Sequence, residues 1–308
     1  MSAGSKDAAA AGSNLPGIAA MCAGVLCLAT LDALAKVLGE SYPIAQIVFF
    51  RSLFALPLAA LIAALSPEGL AGLKTRRPWM HFLRGAITAV AIGCFFTALR
   101  HMPLAEVWTI AFVAPLIVTA LSVPLLGEPV GWRRWSAVLV GFVGILIVVQ
   151  PGTAAFQPAA LIALVAAACY ALILVTARRY AATESAASLV FWSTAVPMVL
   201  AGLAMPFDWV TPATGDLHWF VAVGLLGGSA MLLLTQAFRL APAAVVAPFD
   251  YTAIVWSVGW GWLIWRDVPG PATWAGGALI VAAGLYVMHR ETRTGRPPRR
   301  PPGQPTAG

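Results

Sequence analysis

Four ionisable side chains lie deep inside long apolar stretches of this sequence: Asp32, Lys36, Arg51 and Asp250. A charge inside hydrocarbon costs at least about 2.5–3.5 kcal/mol on insertion scales, so a retained charge needs a partner, a watery cavity or a function. Buried carboxylates and cations can bind a charged solute, gate a pathway or exchange a proton. These four residues are therefore the first candidates for a functional site.

Asp32, Lys36 and Arg51 are expected to lie near one another. At 1.5 Å per residue, Asp32 is roughly 22 Å along the apolar run 17–38, and Arg51 is roughly 10 Å into the run 44–65 from the other side. Lys36 follows Asp32 by four residues, so both occupy one face of a helix. Two interpretations stay open. One is a structural Asp32–Arg51 pair with Lys36 reaching the outer interface, and the other is a substrate anchor or gate.

Asp250 lies roughly 10 Å into the apolar run 243–264, between Pro248 and Tyr251. A proline removes a backbone donor and frees the carbonyl of Ala244, so a kink or a cavity is expected beside Asp250. No basic residue occurs nearby in the sequence at that depth. This favours a functional role for Asp250 over a structural ion pair.

Trp108 and Gln236 could stack on or hydrogen-bond to a planar substrate, although an aromatic in an apolar helix more often packs or faces lipid. The pattern indicates neither a catalytic nor a metal site. The residues predicted to bind substrate or to act in gating are Asp32, Lys36, Arg51, Trp108, Gln236, Asp250 and Tyr251.

The composition excludes a soluble protein. Of the 308 residues, 60% are hydrophobic and 10% are charged, against about 25% charged in soluble domains. Apolar runs of about 18 residues or more can cross a bilayer core roughly 30 Å thick. The sequence has ten such runs, at 17–38, 44–65, 79–99, 104–126, 134–150, 158–177, 187–205, 217–238, 243–264 and 272–288.

The basic residues predict the orientation of these runs. Fourteen lie in alternate loops and the two tails, and the opposite loops hold only Arg100 and Arg266. By the positive-inside rule both termini are cytoplasmic. The residues 1–16 form an N-terminal tail, and the basic residues 290–308 form a disordered tail. These positions account for the net charge of +7 without a nucleic-acid partner.

The second half of the chain repeats the first. Ala98-Leu99-Arg100-His101-Met102-Pro103 aligns with Ala237-Phe238-Arg239-Leu240-Ala241-Pro242 at an offset of 139 residues. The two units are five helices each, 17–150 and 158–289. Because five crossings bring the chain to the other face, the second unit must be inverted, an arrangement typical of carriers with a site near the midplane.

These features resemble the EamA family of the drug/metabolite transporter superfamily. The resemblance covers residues 17–289 and is carried, in order, by Asp32-Ala33-Leu34-Ala35-Lys36, Phe49-Phe50-Arg51, Arg77-Pro78-Trp79, Gly127-Glu128 ahead of Gly141 and Gly144, and Ala247-Pro248-Phe249-Asp250-Tyr251. The branch that it resembles includes S-adenosylmethionine and riboflavin carriers. The resemblance implies an all-α integral membrane fold in which helices 1–4 and 6–9 surround a cavity. Helices 5 and 10 would lie at the periphery, where they could form a homodimer.

A secondary carrier of a small organic metabolite, amino-acid-, nucleoside- or flavin-like, is the function that these observations favour. It would lie in a bacterial inner membrane, use no cofactor, work by alternating access and use an aspartate for proton coupling. An intramembrane enzyme is the alternative, but the aspartates lack a Gly-rich motif and no His-Glu-x-x-His motif occurs. A channel is the other alternative, and two inverted halves suit it less well than a gated carrier.

Overall fold

The computed structural model describes residues 3–128 and 130–294. Within these ranges the regular structure is helical and contains no strand. Ten helical segments follow one another: α1 (Ala3–Gly39), α2 (Ile44–Ala64), α3 (Pro78–His101), α4 (Leu104–Ala111 and Ala114–Leu126), α5 (Trp132–Val149), α6 (Ala159–Tyr180), α7 (Ala186–Ala204), α8 (Leu217–Leu240), α9 (243–265, in pieces) and α10 (Pro271–Thr294).

Within the described ranges, nine of these segments are long and apolar enough to cross a membrane. The segment that does not qualify is α9. It consists of a short helix, a 3₁₀ turn at Ala247–Tyr251, the helix Thr252–Trp260 and a π turn at Gly261–Trp265. Pro248 stands inside the 3₁₀ turn and cannot donate to a preceding carbonyl, so the backbone changes its winding where the sequence predicts a kink.

The fourth segment is interrupted in a similar way. Its first piece ends at Ala111 and its second begins at Ala114, with Pro115 at the start of the second piece. The ring of Pro115 excludes a regular bond to Ala111, four residues earlier. The two interrupted segments, α4 and α9, occupy corresponding places in the two halves of the chain.

The predicted tails are partly helical. α1 begins at Ala3, within the tail predicted at 1–16, because the run Ala8-Ala9-Ala10-Ala11 has a high helix propensity. α10 continues to Thr294, past the predicted start of the disordered tail at residue 290. The rest of that predicted tail, 295–308, lies outside the described residues.

The two halves of the chain pack into each other. α1 packs along α8, α2 packs against α7 and α8, and α3 packs against α6 and α7. Both faces of the bundle are tied across the halves. Tyr42, after α1, donates a hydrogen bond to Asp216 Oδ2 at 2.6 Å; at the other face His81 Nε2 lies 3.1 Å from Glu184 Oε2.

α5 and α10 form a separate pair beside this bundle. A Cβ on Gly276 would lie 2.5 Å from the carbonyl oxygen of Gly144, and a Cβ on Gly144 would lie 2.8 Å from the carbonyl oxygen of Gly276. The two glycines therefore let the two helix backbones approach closely. These two glycines serve the contact between α5 and α10 of the same chain.

We expect Gly276→Ala to destabilise the protein, because the new methyl group meets backbone that cannot move aside. Overpacking of this kind costs about 1–3 kcal/mol. The melting temperature in detergent should fall. Gly93→Ala is the matched control, since Gly93 lies inside α3 with nothing within 4 Å of an added Cβ. Equal melting temperatures for the two variants would contradict the close α5–α10 approach.

Candidate functional site

A cavity of about 310 Å³ lies inside the bundle. Its walls come from both halves of the chain, with residues of α1, α2, α3 and α4 facing residues of α6, α8 and α9. Its polar lining residues are Asp32, Arg51, Trp108, Tyr170 and Asp250, and the rest of its lining is apolar. Four of the seven residues predicted from the sequence, Asp32, Arg51, Trp108 and Asp250, thus face one space.

Asp32 and Arg51 form one end of this cavity. Asp32 is 5% exposed, and its nearest cationic influence is the Arg51 guanidinium. The two side chains attract each other electrostatically, but among the described residues neither forms a direct salt bridge. Arg51 also lies beside α8, since its Nε would be 3.8 Å from a Cβ at Gly227, an ordinary contact distance. Asp32 and Arg51 therefore both line the cavity, and no direct salt bridge among the described residues joins them.

Trp108 lies beside this end of the cavity. Its ring packs edge-on against Phe95 at 5.9 Å and tilted against Phe112 at 5.7 Å. The indole Nε1 is directed towards the Asp32 carboxyl group but forms no hydrogen bond of regular geometry, and Arg51 Nε forms none either. Both atoms are buried. A buried donor without a partner is costly, so these two groups are available to acceptor atoms of a bound molecule.

Asp250 lies in the 3₁₀ turn of α9 and lines the same cavity. It stands at the opposite end of the cavity from Asp32 and Arg51. Its charge acts on two tyrosines, Tyr170 of α6 and Tyr251 beside it. In the part of the chain that the structure describes, no cation acts on its carboxyl group. Tyr170, which lines this part of the cavity, is 53% exposed, against 5% for Asp32.

Lys36 lies outside the cavity, one helical turn beyond Asp32. Its Nζ donates to the Met102 carbonyl at 2.8 Å and lies 3.8 Å from Asp267 Oδ2. The same ammonium group is 4.7 Å from the centre of the Trp265 ring. Lys36 therefore joins α1 to the α3–α4 corner and to the α9–α10 loop.

Two further hydrogen bonds surround Lys36. Trp265 Nε1 donates to Glu40 Oε1 at 3.2 Å, and Thr273 Oγ1 lies 3.5 Å from Glu106 Oε1. Each bond joins a residue of the first half to a residue of the second. We call these residues the outer cluster, because the predicted orientation places them on the outer side of the membrane, and its members are Lys36, Glu40, Met102, Glu106, Trp265, Asp267 and Thr273. The outer cluster covers the end of the bundle beyond Asp32.

The other two predicted residues lie elsewhere. The Tyr251 ring packs on Phe112 at 4.7 Å, and its hydroxyl group lies against Gly284 of α10. Tyr251 is thus a packing contact behind the cavity wall. Gln236 is exposed on α8 and does not line the cavity.

Sequence reasoning did not single out several cavity and cluster residues. Tyr170 stands in an apolar run without a charged neighbour, and Phe95 and Phe96 look like ordinary core positions. Their only signal is spacing, since Ile92, Phe95 and Phe96 share one helical face with Ala91. Across residues 3–128 and 130–294, His, Cys, Asp and Glu side chains do not gather into a group that could hold a metal.

The chain matches the model of the EamA-like transporter family twice, over residues 15–150 and 157–289. It is 34% identical over 260 residues to the pseudopaline exporter CntI of Pseudomonas aeruginosa, covering 82% of this chain and 89% of that one. It is 30% identical over 263 residues to the riboflavin transporter of Rhizobium johnstonii, covering 84% and 85% of the two chains.

The S-adenosylmethionine uptake transporter of Rickettsia prowazekii is 29% identical over 264 residues, covering 85% of this chain and 89% of its own. A solved crystal structure superposes with a TM-score of 0.59 and 21% identity, covering 92% of this chain and 98% of the other. The structural likeness concerns the fold alone.

If the outer cluster holds this end closed, Lys36→Gln should open it. The reporter is Ala91→Cys, a cavity-lining position, in a variant whose four native cysteines are replaced by alanine. A membrane-impermeant thiol reagent added from the predicted outer side should label this cysteine about tenfold faster. A tenfold change corresponds to a shift of about 1.4 kcal/mol in the equilibrium between the closed and the open form.

The matched control is Lys74→Gln, an exposed lysine in the α2–α3 loop at the other face, which should leave the labelling rate unchanged. If the reporter cysteine is labelled at the same rate with Lys36→Gln as with the native Lys36, closure does not depend on the contacts of Lys36.

Proposed function

Because the chain belongs to the EamA-like transporter family, we propose that it is a secondary carrier of a small organic metabolite. The protein is a multi-pass membrane transporter of the inner membrane. The proposal adds alternating access between two inverted halves, 17–150 and 158–289, both termini in the cytoplasm, and a cargo that is amino-acid-, nucleoside- or flavin-like. The single observation that carries it is the cavity shared by both halves.

The cavity has the features of a site for a polar organic molecule. Arg51 Nε and Trp108 Nε1 are buried donors without partners, and carboxyl groups stand at Asp32 and Asp250. Phe95, Phe96 and Phe112 add aromatic rings to a wall that is otherwise aliphatic. A volume of about 310 Å³ is near the lower end of the range for small-molecule sites. Transporters similar to this chain are named for S-adenosylmethionine and riboflavin, both of which contain a flat ring system.

Alternating access is supported by the unequal closure of the two ends. The outer cluster covers the end beyond Asp32 and joins the two halves through Lys36 and Asp267. Tyr170, away from this cluster, is half exposed. A carrier must break one such closure and form another when its halves rock, and polar contacts between the halves can be exchanged in this way. In this proposal Lys36 acts in gating and Asp32 and Arg51 bind cargo.

Proton coupling is the proposed energy source. Asp32 and Asp250 are buried carboxyl groups without a direct salt bridge among the described residues, and such groups in membrane helices serve as proton relays in transporters. One of them would exchange a proton as the halves rock. The sequence contains no P-loop motif, so the proposal does not use nucleotide hydrolysis as the energy source.

Counterflow in proteoliposomes tests the carrier. A thermal-shift screen of amino acids, nucleosides and flavins selects the cargo, and we expect saturable counterflow of it, which a channel does not show. Asp32→Asn and Asp250→Asn should flatten the pH dependence of net uptake, because an amide cannot exchange a proton. Asp208→Asn, in the exposed loop before α8, should keep it. An unchanged pH dependence in both cavity variants would contradict proton coupling.

The proposal includes a homodimer through α5 and α10. The glycines of this pair are occupied within the chain, so the support is a stripe of exposed large apolar residues on α5: Leu139, Val143 and Leu146. Val143→Trp should lower the dimer fraction measured by light scattering in detergent. Val165→Trp, at an exposed position on α6, should not. A wild-type protein that is monomeric at all concentrations would end this part of the proposal.

A further inference from the structure

We infer that the cargo carries a cationic group, which binds against Asp250 and Tyr170, and an acceptor group, which binds Arg51 Nε and Trp108 Nε1. This inference rests on the proposed carrier function and narrows its substrate class. The argument begins with the formal charges that line the cavity. Two carboxylates, Asp32 and Asp250, face one guanidinium, Arg51. A cargo with one net positive charge would neutralise the filled cavity.

The Asp250 end has the chemistry of a cation site. α6 and α8 contribute Tyr170, Leu174 and Leu234 to the wall of the same cavity, and Tyr170 is close enough to interact electrostatically with Asp250. On its own element the neighbouring ionisable group is Tyr251. Among the described residues no Lys, Arg or His acts on this carboxyl group. A carboxylate and an aromatic ring that line one cavity can together bind an organic cation, and a cargo cation would supply the charge that the protein lacks here.

The opposite end is electrically balanced and rich in donors. Asp32 offsets the charge of Arg51, so this end does not by itself require an anion. It does hold two buried N–H groups without partners, at Arg51 Nε and Trp108 Nε1. A carbonyl oxygen, a ring nitrogen or a carboxylate could accept from both. The end therefore favours an acceptor, whereas the Asp250 end favours a cation.

The two ends lie apart along the membrane normal. From the depths of roughly 22 Å for Asp32 and roughly 10 Å for Asp250, helical rise places the two residues about 12 Å apart in depth. Asp250 acts on Tyr170 and Tyr251 and does not act on Asp32 or Arg51. Between the ends the wall is apolar and aromatic. A cargo that fits has a flat or apolar body with its cation at one end and its acceptor at the other.

Matched ligand pairs test the charge requirement directly. S-adenosylmethionine has a sulfonium cation, and S-adenosylhomocysteine is the same molecule without the methyl group and its charge. Choline and 3,3-dimethylbutanol form a second cation–neutral pair. Binding of all four is measured on the full-length protein in nanodiscs. We expect at least one cation to bind about tenfold more tightly than its neutral counterpart.

Variants identify the group responsible. Asp250→Asn should remove the preference for the cation, and Asp250→Glu should retain most of it. Trp108→Phe keeps an aromatic side chain but loses the N–H group, so it should weaken binding of both adenosyl compounds by the same factor and leave their ratio unchanged. Glu68→Gln, an exposed loop carboxylate, should change nothing.

Three results would overturn the inference: neither cation binds, the neutral ligands bind as tightly as the cations, or Asp250→Asn keeps the preference. None of these results rejects the carrier proposal, because saturable counterflow of a neutral metabolite would still establish a carrier. Absence of counterflow for every metabolite in the screen would reject the carrier itself. The two failures are thus distinguishable.

Discussion

The cost of placing charge in hydrocarbon governs how this molecule is arranged. Lys36 meets that cost locally through a carbonyl group at 2.8 Å, a carboxylate at 3.8 Å and an indole ring at 4.7 Å. Asp32 and Arg51 meet it partly, by attracting each other across a shared space. Asp250 has no cation among the described residues. In the proposed carrier, this gradient from satisfied to unsatisfied charge separates the part of the molecule that closes from the part that binds cargo.

Proline and the internal repeat together explain why a cavity exists at this depth. Pro115 and Pro248 stand in corresponding segments, α4 and α9, and each segment is interrupted beside its proline. Irregular backbone at membrane depth is tolerated where it is buried in protein or lines a cavity. Phe112 and Asp250, at the two interruptions, both line the space inside the bundle. The same interruptions turn neighbouring residues outward, as Tyr251 shows by packing against Gly284.

The helices and four of the polar cavity residues could be predicted from the sequence because their signals are local. Apolar runs mark the membrane segments, and a charge within such a run is conspicuous, as at Asp32 and Arg51. The interruption of α9 follows from Pro248. Tyr170 and the partners of Lys36 could not be predicted, since they depend on how distant segments pack. Gln236 shows the converse: a polar residue in an apolar run lies on the exposed face of α8, and sequence spacing does not identify the face.

The positions of Asp32 and Lys36 on α1 connect the cavity to its closed end. The two residues lie one helical turn apart on the same face, and Asp32 faces the cavity while Lys36 lies in the outer cluster. A helix transmits rotation and translation along its axis with little loss, so a ligand that moves Asp32 also moves Lys36. Such a shift would act on the 3.8 Å and 4.7 Å contacts of Lys36 and on its 2.8 Å hydrogen bond to the Met102 carbonyl. In the proposed carrier, binding and gating would therefore be coupled through a single turn of α1, without a longer pathway.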